Sequence, residues 1–221
     1  MKTEELIALL ATRADPVPAH TTQRRFALAL GVGLPSTALL MLVTMGLNPD
    51  LMQAAAGSAF WLKLAFFAFM AVGGLILTWR LSRPGMKLGF AWLAIAVPLF
   101  ALWLAAAAAL FAADPDQRLD IICGQQAAGP FSGSWMLCTW SMAALSLPLL
   151  VATLWCVKDL APTRLALTGA AAGFLSGALS ALVYALRCSE TAAPFLGVWY
   201  VVGIAIPTLI GAALGPRLLR W

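Results

Sequence analysis

The chain has 221 residues, of which 62% are hydrophobic and only 10% charged. No water-soluble domain of this size covers so much apolar surface, so the composition excludes a soluble globular protein. The net charge of +5 sits at the ends of apolar runs, which points to membrane topology rather than to nucleic-acid binding.

The chain opens on MKTEELIALLATR, residues 1–13. Thr3 is placed to cap a helix, with Glu4 and Glu5 in its positive first turn. Leu6, Leu9, Leu10 and Arg13 follow at helical spacing, and Ile7 widens the apolar stripe. Asp15-Pro16-Val17-Pro18 ends the helix, because proline lacks the N–H and clashes with the preceding turn. A helix of about three turns is marginal alone in water, so its stripe needs a partner. The choices are the bundle, the lipid surface, or a soluble protein that takes the helix in a groove. Glu4 and Glu5 disfavour an anionic lipid surface. Residues 14–23 read as an extended linker. His20 stands alone in it, with no partner ligand near in sequence.

Six apolar runs follow, at 26–47, 59–79, 88–113, 135–157, 165–186 and 195–214, and none contains an acidic residue. A bilayer core needs about 20 helical residues per span. The expected fold is an all-α, six-transmembrane-helix bundle over 24–221, preceded by a tail over 1–23. The first run is longer than a signal-peptide core. It is therefore expected to stay in place, despite Ala54-Ala55-Ala56 and the Arg24-Arg25 pair.

Alternation of six spans puts eleven of the fourteen basic residues on one side. They are Lys2, Arg13, Arg24, Arg25, Arg80, Arg83, Lys87, Lys158, Arg164, Arg217 and Arg220. Only Lys63, Arg118 and Arg187 fall on the other. The positive-inside rule then makes both termini cytoplasmic. Trp61, Trp135, Trp140 and Trp199 with Tyr200 mark the outer interface. Trp79, Trp92, Trp155 and Trp221 mark the inner one, and Trp103 is a mid-span exception.

Inside the spans there is little to couple ions. Lys63 lies about one turn inside the second run and is expected to snorkel to the outer interface. Pro35, Pro98, Pro148 and Pro207 are candidate kinks. Gly169, Gly173 and Gly177 form a small-residue face, with Ser176 and Ser180 beside it, suited to packing within the bundle. The sequence has no membrane-embedded carboxylate or histidine relay, no HExxH, no GxSxG and no P-loop.

Topology sorts the four cysteines. Cys156 falls at the inner end of the fourth span. Cys123 falls in the outer loop 114–134. Cys138 opens the fourth span from outside, and Cys188 follows the fifth. Cys138 and Cys188 each lie ~35–40 Å from the turn that joins their helices, at 1.5 Å per residue. They should stand at one height. Spacing leaves two readings open, a permanent bridge and a thiol switch worked by oxidation or a soft metal ion, and does not decide whether Cys123 takes part. The absence of CxxC gives no support to a dithiol oxidoreductase.

Taken together, ELIALLA followed by Asp15-Pro16-Val17, six spans, SWMLCTW, LRCSE, Phe195, Trp199-Tyr200 and a last span ending in Arg220-Trp221 resembles the NrsF-type membrane anti-sigma factors. The resemblance covers essentially the whole chain. It implies that the N-terminal segment holds an extracytoplasmic-function sigma factor inactive. It also implies that two outer cysteines, here Cys138 and Cys188, sense heavy-metal or oxidative stress. The expectation is a non-enzymatic regulator in a bacterial inner membrane, docking through Glu4, Glu5, Leu6, Ile7, Leu9 and Leu10. Its partners would be the sigma factor and the lipid bilayer, with no direct nucleic-acid contact. No cofactor is expected beyond a transient soft metal ion at Cys138 and Cys188. The competing classes are a small-molecule transporter or channel, and a membrane thiol enzyme.

Overall fold

Long apolar runs without internal polar partners satisfy their backbone only as helices, and helices dominate. The computed structural model describes residues 3–5, 21–83, 85–86, 89–124 and 134–220. Among the described residues, six helical segments are long and apolar enough to cross a membrane. α1 (Thr21–Thr44) is followed by the short α2 (Leu51–Ala56) and by α3 (Ser58–Leu81). A 3₁₀ turn, Gly89–Trp92, leads into α4 (Leu93–Ala112). The short α5 (Arg118–Cys123) precedes α6 (Ser134–Lys158), α7 (Leu165–Tyr184) and α8 (Ala193–Leu218). Within α8, Leu196–Tyr200 form a π-helical turn.

The boundaries depart from the sequence reading in informative places. α1 begins at Thr21, so Thr21, Thr22 and Gln23 are helical rather than part of an extended linker. A helix already committed by its apolar body extends back cheaply through polar residues, because propagation is favourable once nucleation is done. Thr3, Glu4 and Glu5 are helical and exposed. Leu6, Ile7, Leu9, Leu10 and His20 lie outside the described residues.

α7 is the axis of the bundle. It is buried over 72% of its membrane window, against 6% for the third span. α8, α3 and α6 pack on α7, and α1 packs on α6. α4 lies on the rim, with Val97, Phe100 and Leu104 exposed. Small residues allow α7 and α8 to touch backbone to backbone. A Cβ on Gly169 would run into the Gly211 carbonyl, and one on Gly173 into the Pro207 carbonyl. On the facing helix, a Cβ on Gly215 would strike the Leu165 carbonyl. Gly173→Ala should therefore lower thermal stability in detergent by about 1–3 kcal/mol, the usual cost of overpacking. An unchanged melting midpoint would mean that the two helices do not approach this closely.

Hydroxyls inside the spans are mostly satisfied by their own helix. Thr78 donates to the Gly74 carbonyl at 2.7 Å, and Ser176 to Ala172 at 2.8 Å. This back-bonding is the ordinary way to hold Ser and Thr in apolar surroundings. Two contacts go further and join helices. Thr153 and Ser176 link α6 to α7 at 3.0 Å, and Thr37 of α1 donates to the Leu145 carbonyl of α6 at 3.2 Å.

The two ends of the bundle differ in chemistry. At the basic end, Arg25 of α1 pairs with Asp159 just past α6 at 2.6 Å. Phe26 packs on Trp79, and the Arg83 guanidinium lies 4.8 Å from the centre of the same indole. Cys156 is buried there among Phe26, Ala29 and Val157. The opposite end carries the other three cysteines.

Candidate functional site

Cys138 stands near the start of α6, and Cys188 follows the end of α7. A tight turn after α7 sets the second position, with the Cys188 N–H donating to the Tyr184 carbonyl at 3.1 Å. The two Sγ atoms are 3.8 Å apart, as free thiols. Cys138 is 2% exposed and Cys188 is half-buried. Among the described residues no three potential metal ligands come together, so Cys123 does not complete a set with this pair.

Three further side chains build the site. The Tyr184 hydroxyl donates to Cys138 Sγ at 3.2 Å. Tyr200 is fully buried, and among the described residues its hydroxyl makes no hydrogen bond. Its ring stacks on Phe67 with centroids 4.8 Å apart. The π-helical turn at Leu196–Tyr200 resets the rotation of α8 and carries Tyr200 into the core, a use typical of such turns. Lys63 is the third. It does not snorkel outward as lysines near a membrane interface commonly do. It is 2% exposed, and its ammonium donates to the carbonyls of Cys188 at 2.6 Å and Glu190 at 3.0 Å. Those carbonyls belong to the segment after α7, beyond its last helical turn. They therefore offer the cation better solvation than a route past α3 to the interface.

Further contacts brace the turn after α7 and the neighbouring π-helical turn of α8. Arg187 donates to the Met45 carbonyl at the end of α1. Trp199 stacks on Trp135 at 4.3 Å and donates to the Ile122 carbonyl of α5 at 2.8 Å. The mid-span exception, Trp103, donates to the Gly197 carbonyl in the π-helical turn. A cavity of about 530 Å³ reaches the thiols, bordered by Thr44, Leu137, Ser141, Arg187 and both cysteines.

The electrostatics of the pair are unequal. Cys188 is pulled below the ordinary thiol value, to about 6, first by the hydrogen bond from Cys138. Burial opposes that shift. The nearby Tyr200 hydroxyl, acting from outside hydrogen-bond geometry, and the Lys63 charge reinforce it. The thiolate is the reacting form. Alkylation of Cys188 by iodoacetamide should thus rise with pH through about 6 and level off above it. A rate still climbing at pH 8 would contradict this environment.

Sequence reading brought Cys138 and Cys188 to one height but missed Tyr184, Tyr200 and the inward turn of Lys63. One signal was available. The chain has only two tyrosines, and both reach this pair. Tyr184 also precedes Cys188 by one helical turn. The other named residues lie elsewhere. Gly169, Gly173 and Gly177 face α8, and Glu4 and Glu5 are at the far N-terminus.

The fold and site define a polytopic helical membrane protein with a buried, polarised dithiol at one end. The family described as "Negative regulator of sigma F" (NrsF) matches residues 10–221, and the chain belongs to it. It is 42% identical over 221 residues to the probable anti-sigma-F factor NrsF of Azospira oryzae, covering 100% of both chains. It is 35% identical over 222 residues to the anti-sigma-F factor NrsF of Caulobacter vibrioides, again covering 100% of both. No solved structure matches the chain.

Proposed function

We propose that this protein is an anti-sigma factor that holds an extracytoplasmic-function sigma factor at the inner membrane and releases it when its outer thiols are oxidised. Membership of the family across residues 10–221 supports the anti-sigma role. The single observation that carries the sensing half is the 3.8 Å approach of Cys138 and Cys188, beside a cavity and away from the basic end. In this reading Glu4, Glu5, Leu6, Ile7, Leu9 and Leu10 supply the docking surface on the cytoplasmic side. Oxidation of the pair pulls α6 and the turn after α7 together. α6 reaches the opposite end of the bundle, where Asp159 pairs with Arg25 at the foot of the tail.

Loss of the gene should raise sigma-dependent transcription in unstressed cells, and the full chain supplied in trans should restore repression. Transcription that does not change on deletion would end the anti-sigma reading.

The orientation has its own test. Reporter fusions at Arg83, Thr163 and Trp221 should read cytoplasmic, and fusions at Asp50, Asp120 and Glu190 periplasmic. One inverted reporter would place the tail or the thiols on the wrong side for this function.

A further inference from the structure

The thiol pair is asymmetric in every respect that governs reaction order. Cys138 is sealed at 2% exposure, whereas Cys188 is half-buried. Cys138 Sγ already accepts a hydrogen bond from Tyr184. Its own S–H is then left to be donated across the 3.8 Å gap to Cys188. Hydrogen bonds in such a chain polarise one another in one direction, and the last acceptor gains most anionic character. That acceptor is Cys188. The Lys63 ammonium sits on the main chain of the same residue, through the Cys188 and Glu190 carbonyls. Both acceptors are neutral, so the cation's field also acts on the adjacent sulfur.

We propose that Lys63 is the positioning residue of this dithiol: it anchors the turn and directs its charge so that Cys188 attacks the oxidant and Cys138 resolves the product. The proposal rests on the sensing role given above to the pair. With a hydroperoxide as oxidant, the steps balance. The Cys188 sulfur attacks the terminal peroxide oxygen. An S–O bond forms, the O–O bond breaks, and the leaving alkoxide takes a proton. The Cys138 sulfur then attacks Cys188. An S–S bond forms, the S–O bond breaks, and hydroxide leaves as water with the Cys138 proton. Two thiols lose two electrons and the peroxide gains two. The sulfurs close from 3.8 Å to about 2.05 Å, the length of a disulfide.

The groups that face Cys188 come from all sides. Cys138 lies on α6, Tyr184 on α7, Tyr200 on α8 and Lys63 on α3, with Arg187 and Glu190 in the turn itself. Asp120 of α5 borders a separate cavity with Glu190. Of these, Lys63 is the buried cation bonded to the Cys188 backbone, which makes its substitution the informative one.

The test uses the full chain with Cys123→Ser and Cys156→Ser, in lipid vesicles, with hydrogen peroxide as oxidant and dimedone to trap sulfenic acid. Adding Cys138→Ser should give a dimedone adduct on Cys188. Adding Cys188→Ser instead should give little or none on Cys138. Lys63→Gln keeps a hydrogen-bond donor but loses the charge. It should slow trapping at Cys188 about tenfold at about pH 5, below the ionisation of both forms, the effect of about one unit in the thiol's ionisation. The slowed rate should recover at higher pH, which a purely structural defect would not allow. Lys63→Arg keeps the charge and should stay within about threefold of the parent, given its matching donors. An adduct forming first on Cys138 would overturn the assignment. So would a Lys63→Gln rate equal to the parent's, or one that stays low at every pH. If Lys63→Gln fails to insert, the adduct positions in the Lys63 protein and the Lys63→Arg rate still decide. Sigma-dependent transcription, read in cells carrying Lys63→Gln, separates the two claims. Slow trapping with normal induction by peroxide would sink the sensing role while leaving the reaction order intact.

Discussion

Replacing Leu6 and Leu10 together with glutamate should raise sigma-dependent transcription to the level of a strain lacking the protein. Both leucines lie on the stripe predicted for the N-terminal helix, and Thr3, Glu4 and Glu5 are already helical and exposed at its start. A helix docked in a groove buries such a stripe against its partner. Putting an unpaired charge there costs about 3 kcal/mol or more, which is over a hundredfold in affinity. The six spans are untouched, so membrane levels should stay normal. Unchanged repression at a normal protein level would show that the tail is not the inhibitory surface.

The second large effect belongs to the dithiol. Cys138→Ser with Cys188→Ser should abolish induction by peroxide or cadmium while basal repression and insertion persist. Serine keeps the size and hydrogen-bonding capacity but loses the thiolate. The two positions sit beside one cavity, so either single change should blunt the response substantially. Cys156→Ser is the matched control. Cys156 is on the same helix but buried at the far end with Phe26 and Val157, ~27 Å away at 1.5 Å per residue. It should leave induction intact. A double variant that still responds fully would reduce the pair to packing.

The readable part of this molecule was its frame. Run lengths give the six spans because the bilayer sets the length of a helix. Counting residues from the shared turn put Cys138 and Cys188 at one height, and their sulfurs are 3.8 Å apart. Rotation about each helix axis was not readable. In water a polar face shows which side is outside. In a membrane both the lipid face and the core face are apolar, so nothing in α3 announces that Lys63 points inward. The π-helical turn shows the same gap. It shifts the register of α8 by a local change in hydrogen bonding, and Tyr200 read as an interface marker when it is wholly buried. The glycine face of α7 was readable as a close contact. Its matching positions, Gly211 and Gly215, emerge only once α8 is laid beside it.

Sequestration is read most directly from the sigma factor's distribution between membrane and soluble fractions. Washed membranes bearing the full chain should retain the sigma factor under reducing conditions, identified by mass spectrometry. They should release it within minutes of peroxide treatment. Retention should vanish with Leu6→Glu and Leu10→Glu, and should resist peroxide with Cys138→Ser and Cys188→Ser. A sigma factor found equally in membranes with and without the protein would contradict the account.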